Sequence, residues 1–282
     1  MIPAAFEYER PSSLDEALAL LADGGDDARP LAGGHSLLPL MRLRLARPTL
    51  LVDIGGLNDL RYVRDEGDQI AIGALCTHHA LSHAPELSGG CGLIAEVAGQ
   101  IGDPQVRHRG TIGGSVAHAD PASDLPAALL ALDAEVVAQG PGGSRSIAAA
   151  DFFVGPLMSA LEPSEILTEV RVAKRAGCGS GYQKFQRRAQ DWAIVGIAAV
   201  VESDGGSISN AAIGLTNMSG TPLRAKAVEE ALAGAADEGA IAEAAKKVSE
   251  AGTPFADANA SAEFRLHLAE VLIRRVIADA MS

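Results

Sequence analysis

The chain has 282 residues, of which 48% are hydrophobic and 21% are charged, and its formal net charge is -13. This composition is typical of a globular protein and excludes a disordered or fibrous chain, and the length suggests about two domains. The acidic balance and the lack of a Lys/Arg run disfavour binding to nucleic acid or to an anionic membrane.

Cysteine content and hydropathy indicate the compartment. The three cysteines, Cys76, Cys91 and Cys178, form no C-x-x-C pair, which excludes a disulfide framework, a zinc ribbon and an iron–sulfur cluster held by this chain alone. The N-terminus lacks a basic and apolar leader, and no apolar stretch reaches the roughly 18 residues of a transmembrane helix. We therefore expect a soluble, cytoplasmic protein.

The first predicted element is an amphipathic helix. Ser13–Glu16 has the spacing of a capping box, and apolar residues follow at helical spacing until the glycine pair at 24–25. A strand, a glycine turn, a helix and a second strand are predicted next, in that order, at 30–32, 33–34, 37–45 and 50–54. A first lobe is predicted to end near 55–56.

The middle of the chain alternates predicted strands with a helix. A strand is predicted over 69–75, a helix over 93–101 and a hairpin turn at 140–143. The segment 165–172 alternates as a half-buried strand, although Leu167 places an apolar side chain on its polar face.

The pattern changes after a glycine-rich joint at 176–181, which is the predicted domain boundary. Three successive strands are predicted beyond it, over 182–187, 192–201 and 207–215. Three helices are predicted to finish the chain, over 222–232, 238–250 and 261–280.

Two glycine turns are the most informative motif. Ala32-Gly33-Gly34-His35-Ser36 and Thr111-Ile112-Gly113-Gly114-Ser115 each join a glycine pair to a small polar side chain. Paired glycines let successive backbone N–H groups meet an anion without Cβ interference, and two such nests suit a diphosphate. Ordinary tight turns are the alternative interpretation. Neither segment is a G-x-G-x-x-G or P-loop motif.

Polar residues lie downstream of the second turn. Asp124 is predicted as a helix N-cap with Pro126 in the first turn. Its carboxylate, next to a glycine nest, also suits sugar or ribityl hydroxyls. A metal site made of His118, Asp120 and Asp124 is a weaker alternative.

A lysine and the single tryptophan lie near a predicted strand. Lys184 lies on the strand and Trp192 at its far end. A surface lysine and a core tryptophan are the simpler interpretations. No hydrolase motif is present.

These segments, together with Gly214-Leu215-Thr216-Asn217, resemble the FAD-binding medium subunits of molybdenum hydroxylases over essentially the whole chain. The carbon monoxide dehydrogenase branch is the closer resemblance, and the flavin domain of xanthine dehydrogenase is more distant. The resemblance implies an α+β fold. A two-lobed FAD-binding domain of the vanillyl-alcohol-oxidase type would span 1–176, with lobes of about 1–56 and 57–176. A C-terminal domain with a three-stranded antiparallel sheet and helices would span 177–282.

The resemblance also implies FAD contacts. The two glycine turns would hold opposite sides of the diphosphate, Asp124 a flavin hydroxyl, and Lys184 the isoalloxazine or its chain, while Trp192 would stack on the ring. Many relatives carry Asn where Ser115 stands. The implied residues are Ala32, Gly33, Gly34, His35, Ser36, Ile101, Thr111, Gly113, Gly114, Ser115, Asp124, Leu167, Lys184 and Trp192.

By the same resemblance the chain transfers electrons and holds no catalytic or metal-binding residue of its own. It would accept electrons from a [2Fe-2S] centre in a small subunit, beside a large subunit with a molybdopterin-type cofactor, in a dimer of heterotrimers. It would pass them to an external acceptor. A self-contained FAD-dependent reductase or oxidase is the alternative, and a flavin- or nucleotide-binding assembly or sensor protein is a third possibility.

Overall fold

A computed structural model describes residues 2–282. Its strands are β1 Glu7–Glu9, β2 Ala28–Leu31, β3 Leu50–Asp53, β4 Val63–Asp65, β5 Gln69–Gly73, β6 Glu135–Gly140, β7 Gly143–Ala148, β8 Phe153–Gly155, β9 Met158–Ser159, β10 Ile166–Ala173, β11 Gly179–Phe185, β12 Val195–Asp204, β13 Ser207–Thr216 and β14 Leu223–Arg224. Its α-helices are α1 Leu14–Gly24, α2 Leu37–Arg42, α3 His78–Leu81, α4 Gly92–Gln100, α5 Pro104–Arg107, α6 Ile112–His118, α7 Asp124–Ala131, α8 Ala149–Phe152, α9 Lys226–Leu232, α10 Glu238–Ala245 and α11 Ala262–Met281. None of these helices is long and apolar enough to cross a membrane.

The first sheet is parallel, in the order β1-β3-β2. Helix α1 packs its apolar stripe into the core beside it, and the hydroxyl of Ser13 accepts a hydrogen bond from the backbone N–H of Glu16, as the capping-box spacing predicts. Helix α2 ends three residues before the predicted end, because the chain turns back: Arg44 has a φ of 60°, and the N–H of Leu45 donates to the carbonyl of Leu40.

The second sheet is antiparallel, in the order β4-β5-β10-β6-β7. The predicted hairpin turn is confirmed, since Gly140 pairs with Gly143. The prediction that β10 is half-buried is wrong. Strand β10 lies in the centre of the sheet, and five consecutive residues from Ile166 to Val170 are buried, so both faces of the sheet are covered there.

The third sheet is antiparallel, in the order β11-β12-β13-β14. It contains the three predicted strands and a short fourth one, β14, which takes residues predicted to begin a helix. The prediction that the middle strand starts at Trp192 is wrong, because β12 starts at Val195. Residues 186–194 form the loop that joins it to β11.

Helix α7 lies between the second and third sheets, and all of its residues are buried. Its backbone contacts β13 directly: a Cβ atom at Gly214 would lie 1.9 Å from the carbonyl oxygen of Ala127. Because this contact leaves no gap, the core around the second sheet also includes Tyr182, Ala198 and Ala212 from the third. Helix α11 contacts β11 and β12, and its apolar side chains join those of the third sheet in a second core.

Candidate functional site

The two glycine turns lie against each other where the first and second sheets meet. A Cβ atom at Gly33 would lie only 2.0 Å from the carbonyl oxygen of Arg109, and one at Gly114 would lie 3.9 Å from the Cβ of Ala32. An isolated bridge between Thr77 and Thr111 ties the second turn to the end of the second sheet. The structure therefore brings 32–36 and 111–115 together.

The first turn presents unpaired backbone donors. Within residues 2–282, the N–H groups of Gly33, Gly34, His35 and Ser36 donate to no protein acceptor. Gly34 has a φ of 76°, a left-handed conformation that glycine adopts without strain. Successive free N–H groups around a left-handed residue are the features of a nest, so this segment keeps the donors that the predicted anion site needs.

The second turn is different, because its donors are already used. The N–H of Gly113 donates to the carbonyl of Ala74 at 2.9 Å, and the N–H of Gly114 donates to Thr111 Oγ1 at 3.1 Å. The free N–H groups that a nest needs are therefore present at the first turn and absent at Gly113 and Gly114. What this turn offers instead is the hydroxyl groups of Thr111 and Ser115 at the start of α6.

Sequence reasoning missed a buried histidine beside the two turns. His78 is 4% exposed, its Nδ1 has no hydrogen-bond partner, and its ring packs against Gly110. Burial, followed by the nearby His35 and Arg107, lowers the pKa of His78 to about 4, so the imidazole is neutral near pH 7. The sequence shows only that His78 starts a short helix, and its burial arises from packing between segments distant in sequence.

A buried charge pair joins α7 to the third sheet. Lys184 Nζ lies 2.9 Å from Asp124 Oδ2, and the two side chains are 3% and 7% exposed. The prediction that Asp124 is an N-cap is wrong: Ser123 holds the cap position, and the carboxylate accepts hydrogen bonds from Lys184 and Tyr182 instead. The surface interpretation of Lys184 is wrong too.

Burial and mutual hydrogen bonding set the pKa values of Asp124 and Tyr182. Burial raises the pKa of Asp124, and Lys184 and the Tyr182 hydroxyl oppose that rise by favouring the carboxylate. Burial and the neighbouring carboxylate raise the pKa of Tyr182 well above its ordinary value. The phenol therefore stays protonated, and its hydroxyl donates a hydrogen bond to Asp124 Oδ1 at 2.5 Å.

The other predicted contact residues are more dispersed. Ile101 follows α4, and its carbonyl accepts a hydrogen bond from Arg107 at 3.1 Å, while Leu167 is 4% exposed within the core. Trp192 is 75% exposed, so the core interpretation of this tryptophan is wrong. Residues 2–282 contain no group of three or more His, Cys, Asp and Glu arranged to hold a metal ion. Asp124, one residue of the weaker metal alternative, is bonded to Tyr182 and Lys184 instead.

Two sequence-family models match the chain. One is described as the FAD binding domain in molybdopterin dehydrogenase and matches residues 4–174. The other is described as the CO dehydrogenase flavoprotein C-terminal domain and matches residues 180–280.

Curated relatives match over nearly the full length. The chain is 42% identical to the carbon monoxide dehydrogenase medium chain of Afipia carboxidovorans, covering 98% of this chain and 97% of that one. It is 39% identical to subunit alpha of the 6-hydroxypseudooxynicotine dehydrogenase complex of Paenarthrobacter nicotinovorans, covering 100% and 96%. The chain belongs to the FAD-binding medium subunits of molybdenum hydroxylases.

A solved structure supports the fold of this medium subunit. The crystal structure of a Cu,Mo-CO dehydrogenase in its cyanide-inactivated form contains a chain that superposes with a TM-score of 0.96 at 42% identity. The match covers 100% of this medium subunit and 99% of that chain. The resemblance stated from the motifs and the mixed α+β fold it implies are therefore confirmed.

Proposed function

We propose that this medium subunit binds FAD and carries electrons from a partner's [2Fe-2S] centre to an external acceptor. The observation that supports the proposal best is the row of four unpaired N–H groups at 33–36, held against the second glycine turn. Such a row suits the diphosphate of FAD, because an anion there replaces the hydrogen bonds that the protein does not supply.

The predicted contact residues fit FAD in different ways. The 33–36 nest would take one side of the diphosphate through N–H groups, and Thr111 and Ser115 would take the other through hydroxyls. Asp124 has lone pairs left beside Tyr182 and Lys184 for a flavin hydroxyl. Ala32, Ile101, Gly113, Gly114, Leu167 and Trp192 complete the proposed set.

FAD, when bound, supplies the redox chemistry and exchanges one or two electrons. The residues of the chain bind it and set its surroundings. Lys184 brings an ammonium group into a site nearly closed to water, but its charge is largely balanced by Asp124 at 2.9 Å. We therefore infer that the pair orients the cofactor more than it adds net positive charge.

The proposal includes partners and compartment. The proposed partners are a large molybdenum subunit and a small iron–sulfur subunit in a dimer of heterotrimers. Relatives named as a medium chain or as a subunit of a dehydrogenase complex support an assembly of several subunits. Three cysteines without a disulfide suit a reducing cytoplasm. We also infer a boundary near 176–177, which the positions of the two family-model matches support. Lobes of about 1–56 and 57–176 are part of the same proposal.

Ligand selectivity tests the cofactor site. The purified chain should quench FAD fluorescence at micromolar concentrations and bind FMN, which lacks the diphosphate bridge, at least tenfold more weakly. Gly34→Val should weaken FAD binding, because a β-branched residue is strained at this φ. Gly142→Ala is the matched control, since a Cβ there meets nothing within 4 Å. Equal affinity for FAD and FMN would contradict a diphosphate site.

Electron flow tests the rest of the proposal. The chain co-expressed with its neighbouring genes should carry flavin, iron–sulfur and molybdenum in one complex. After reduction with dithionite, its clusters should be reoxidised by a quinone or ferricyanide far faster with FAD than in an FAD-stripped sample. Turnover of a reductant by the chain alone would instead establish the self-contained reductase or oxidase.

A further inference from the structure

Tyr182 connects the third sheet to two helices through three hydrogen bonds. Its backbone N–H donates to Glu96 Oε1 at 3.2 Å, its carbonyl accepts from Gln100 Nε2 at 3.4 Å, and its hydroxyl donates to Asp124 Oδ1 at 2.5 Å. Glu96 and Gln100 lie on α4, and Asp124 is the first residue of α7. Tyr182 is therefore fixed from three sides at 2% exposure.

The neighbouring strands are shaped around the phenol. A Cβ atom at Gly196 would lie 2.7 Å from the Tyr182 hydroxyl oxygen, so only glycine at this position leaves room for it. On the next strand, Thr216 donates from Oγ1 to the carbonyl of Ser123 at 3.2 Å, directly before Asp124. The sheet thus holds both the phenol and the start of α7.

Strand geometry couples Tyr182 to Lys184. Residues two apart on a strand point to the same face, and the two side chains donate to different oxygens of the same carboxylate. Lys184 alone would leave the carboxylate free to rotate about its χ2 bond. Two donors at fixed positions determine its orientation and direct its remaining lone pairs.

We propose that Tyr182 is a positioning residue of the cofactor site, which acts through Asp124 by fixing the orientation and charge of that carboxylate. This inference rests on the proposed function, because the carboxylate is the group expected to accept a flavin hydroxyl. Lys184 and Tyr182, both on β11, are the ionisable groups that influence Asp124, and Glu96 on α4 acts on Tyr182.

The test compares FAD binding by wild type and Tyr182→Phe across pH. The variant keeps the ring and loses one donor to a carboxylate, so the dissociation constant for FAD should rise about tenfold at pH 7. Loss of a donor also raises the pKa of Asp124. Affinity, which needs the carboxylate and is lost as pH falls, should therefore be lost at a higher pH than in wild type.

Tyr62→Phe is the matched control. Tyr62, which directly precedes β4, also donates to a buried carboxylate, that of Glu169 on β10, and makes no hydrogen bond to Asp124. This control should leave the FAD dissociation constant and its pH profile unchanged. If Tyr182→Phe unfolds, Gly196→Ala provides the second variant: it displaces the phenol oxygen with Tyr182 still present and should shift the pH profile in the same direction.

The outcomes separate the inference from the function it rests on. If wild type binds FAD and both Tyr182→Phe and Gly196→Ala match it in affinity and pH profile, the positioning role is overturned and the proposed function stands. If wild type fails to bind FAD at all, the proposed function fails and the inference with it. A lower melting temperature with unchanged FAD affinity shows a purely structural tyrosine, which also overturns the role.

Discussion

At the scale of single residues, the buried Asp124–Lys184 ion pair has a large effect on the stability of the protein when one partner is removed. Each charge is nearly removed from water, with side-chain exposures of 7% and 3%. Removing one partner leaves the other charge unpaired in a poorly solvated site. The resulting loss of stability is far larger than the stability that the pair adds relative to two apolar residues. The pair is therefore expected to be strongly coupled.

Lys184→Met should destabilise the FAD-free protein by about 3–5 kcal/mol. Lys184→Met combined with Asp124→Asn should recover much of that loss, because the unpaired Asp124 carboxylate is then replaced by a neutral amide. Urea unfolding measures both. Lys246→Met removes a pair to Glu243 whose side chains are 60% and 73% exposed, and should change stability by no more than about 0.5 kcal/mol. Additive losses in the double variant would contradict the coupling.

His78 predicts a pH dependence of stability. Its folded pKa of about 4 lies below its ordinary 6.5, so between these values the unfolded chain binds more protons. The contribution of His78 to the free energy of unfolding is fully present above about pH 6.5. It falls by about 3 kcal/mol in all as the pH falls toward 4. The difference in unfolding free energy between wild type and His78→Gln, followed from pH 7.5 to 4, should show this slope. Parallel curves would rule out a neutral buried imidazole.

At the scale of elements, the backbones of α7 and β13 lie in direct contact beside the site. The small residues of α7 and Gly214 bring the two backbones together, so a side chain at 214 has no space. Any displacement of α7 also displaces Asp124 at its first position.

Gly214→Ala should destabilise the protein by about 1–3 kcal/mol or more, because its Cβ would overlap the carbonyl of Ala127. Thermal or urea unfolding measures the loss. Gly142→Ala, on an open hairpin tip, should stay within about 0.5 kcal/mol of wild type. Equal stability of the two variants would mean that α7 moves away at little cost.

Elements with local signals could be predicted from the sequence. The capping box at Ser13 marks α1, and the glycine turn at 140–143 marks a hairpin. Features that depend on distant partners could not. Strand β10 alternates like a surface strand, but its neighbours β5 and β6 place it in the centre of a sheet. Residues 192–194 are apolar, yet the carbonyl of Ile194 binds Arg265 on α11 at 2.5 Å and that segment stays a loop.

The same distinction holds for the site. The glycine pair at 33–34 predicts the left-handed residue of the first turn, because the conformation that glycine allows is a local property. The second turn has the same residue pattern, but its donors are taken by Ala74 and Thr111, and only tertiary packing reveals that. Asp124 fits an N-cap locally, while its real partners lie 58 and 60 residues further along the chain.

At the scale of the whole molecule, the two family-matched regions share one core. Side chains from the third sheet, such as Val200, are buried among those of α4 and α7. Asp133 adds a polar link, since it accepts from Arg175 at 2.8 Å and from Arg224 at 2.5 Å. The two family-matched regions are therefore joined by a shared core and by these hydrogen bonds.

Calorimetric unfolding should consequently show one cooperative transition, with a calorimetric enthalpy close to the van't Hoff enthalpy. Scans at two rates control for irreversibility, which shifts the apparent midpoint with rate. Two separated peaks would show that the regions unfold independently despite the shared core.

The position of Lys184 and Tyr182 late in the chain sets a time order during synthesis. The glycine turns and Asp124 leave the ribosome before β11, and β11 needs β12 and α11, which follow it in the chain. A nascent or truncated chain thus contains the two glycine turns without the groups that hydrogen-bond to Asp124. We therefore expect a chain truncated before β11 to bind FAD more weakly than a chain that contains β11, β12 and α11.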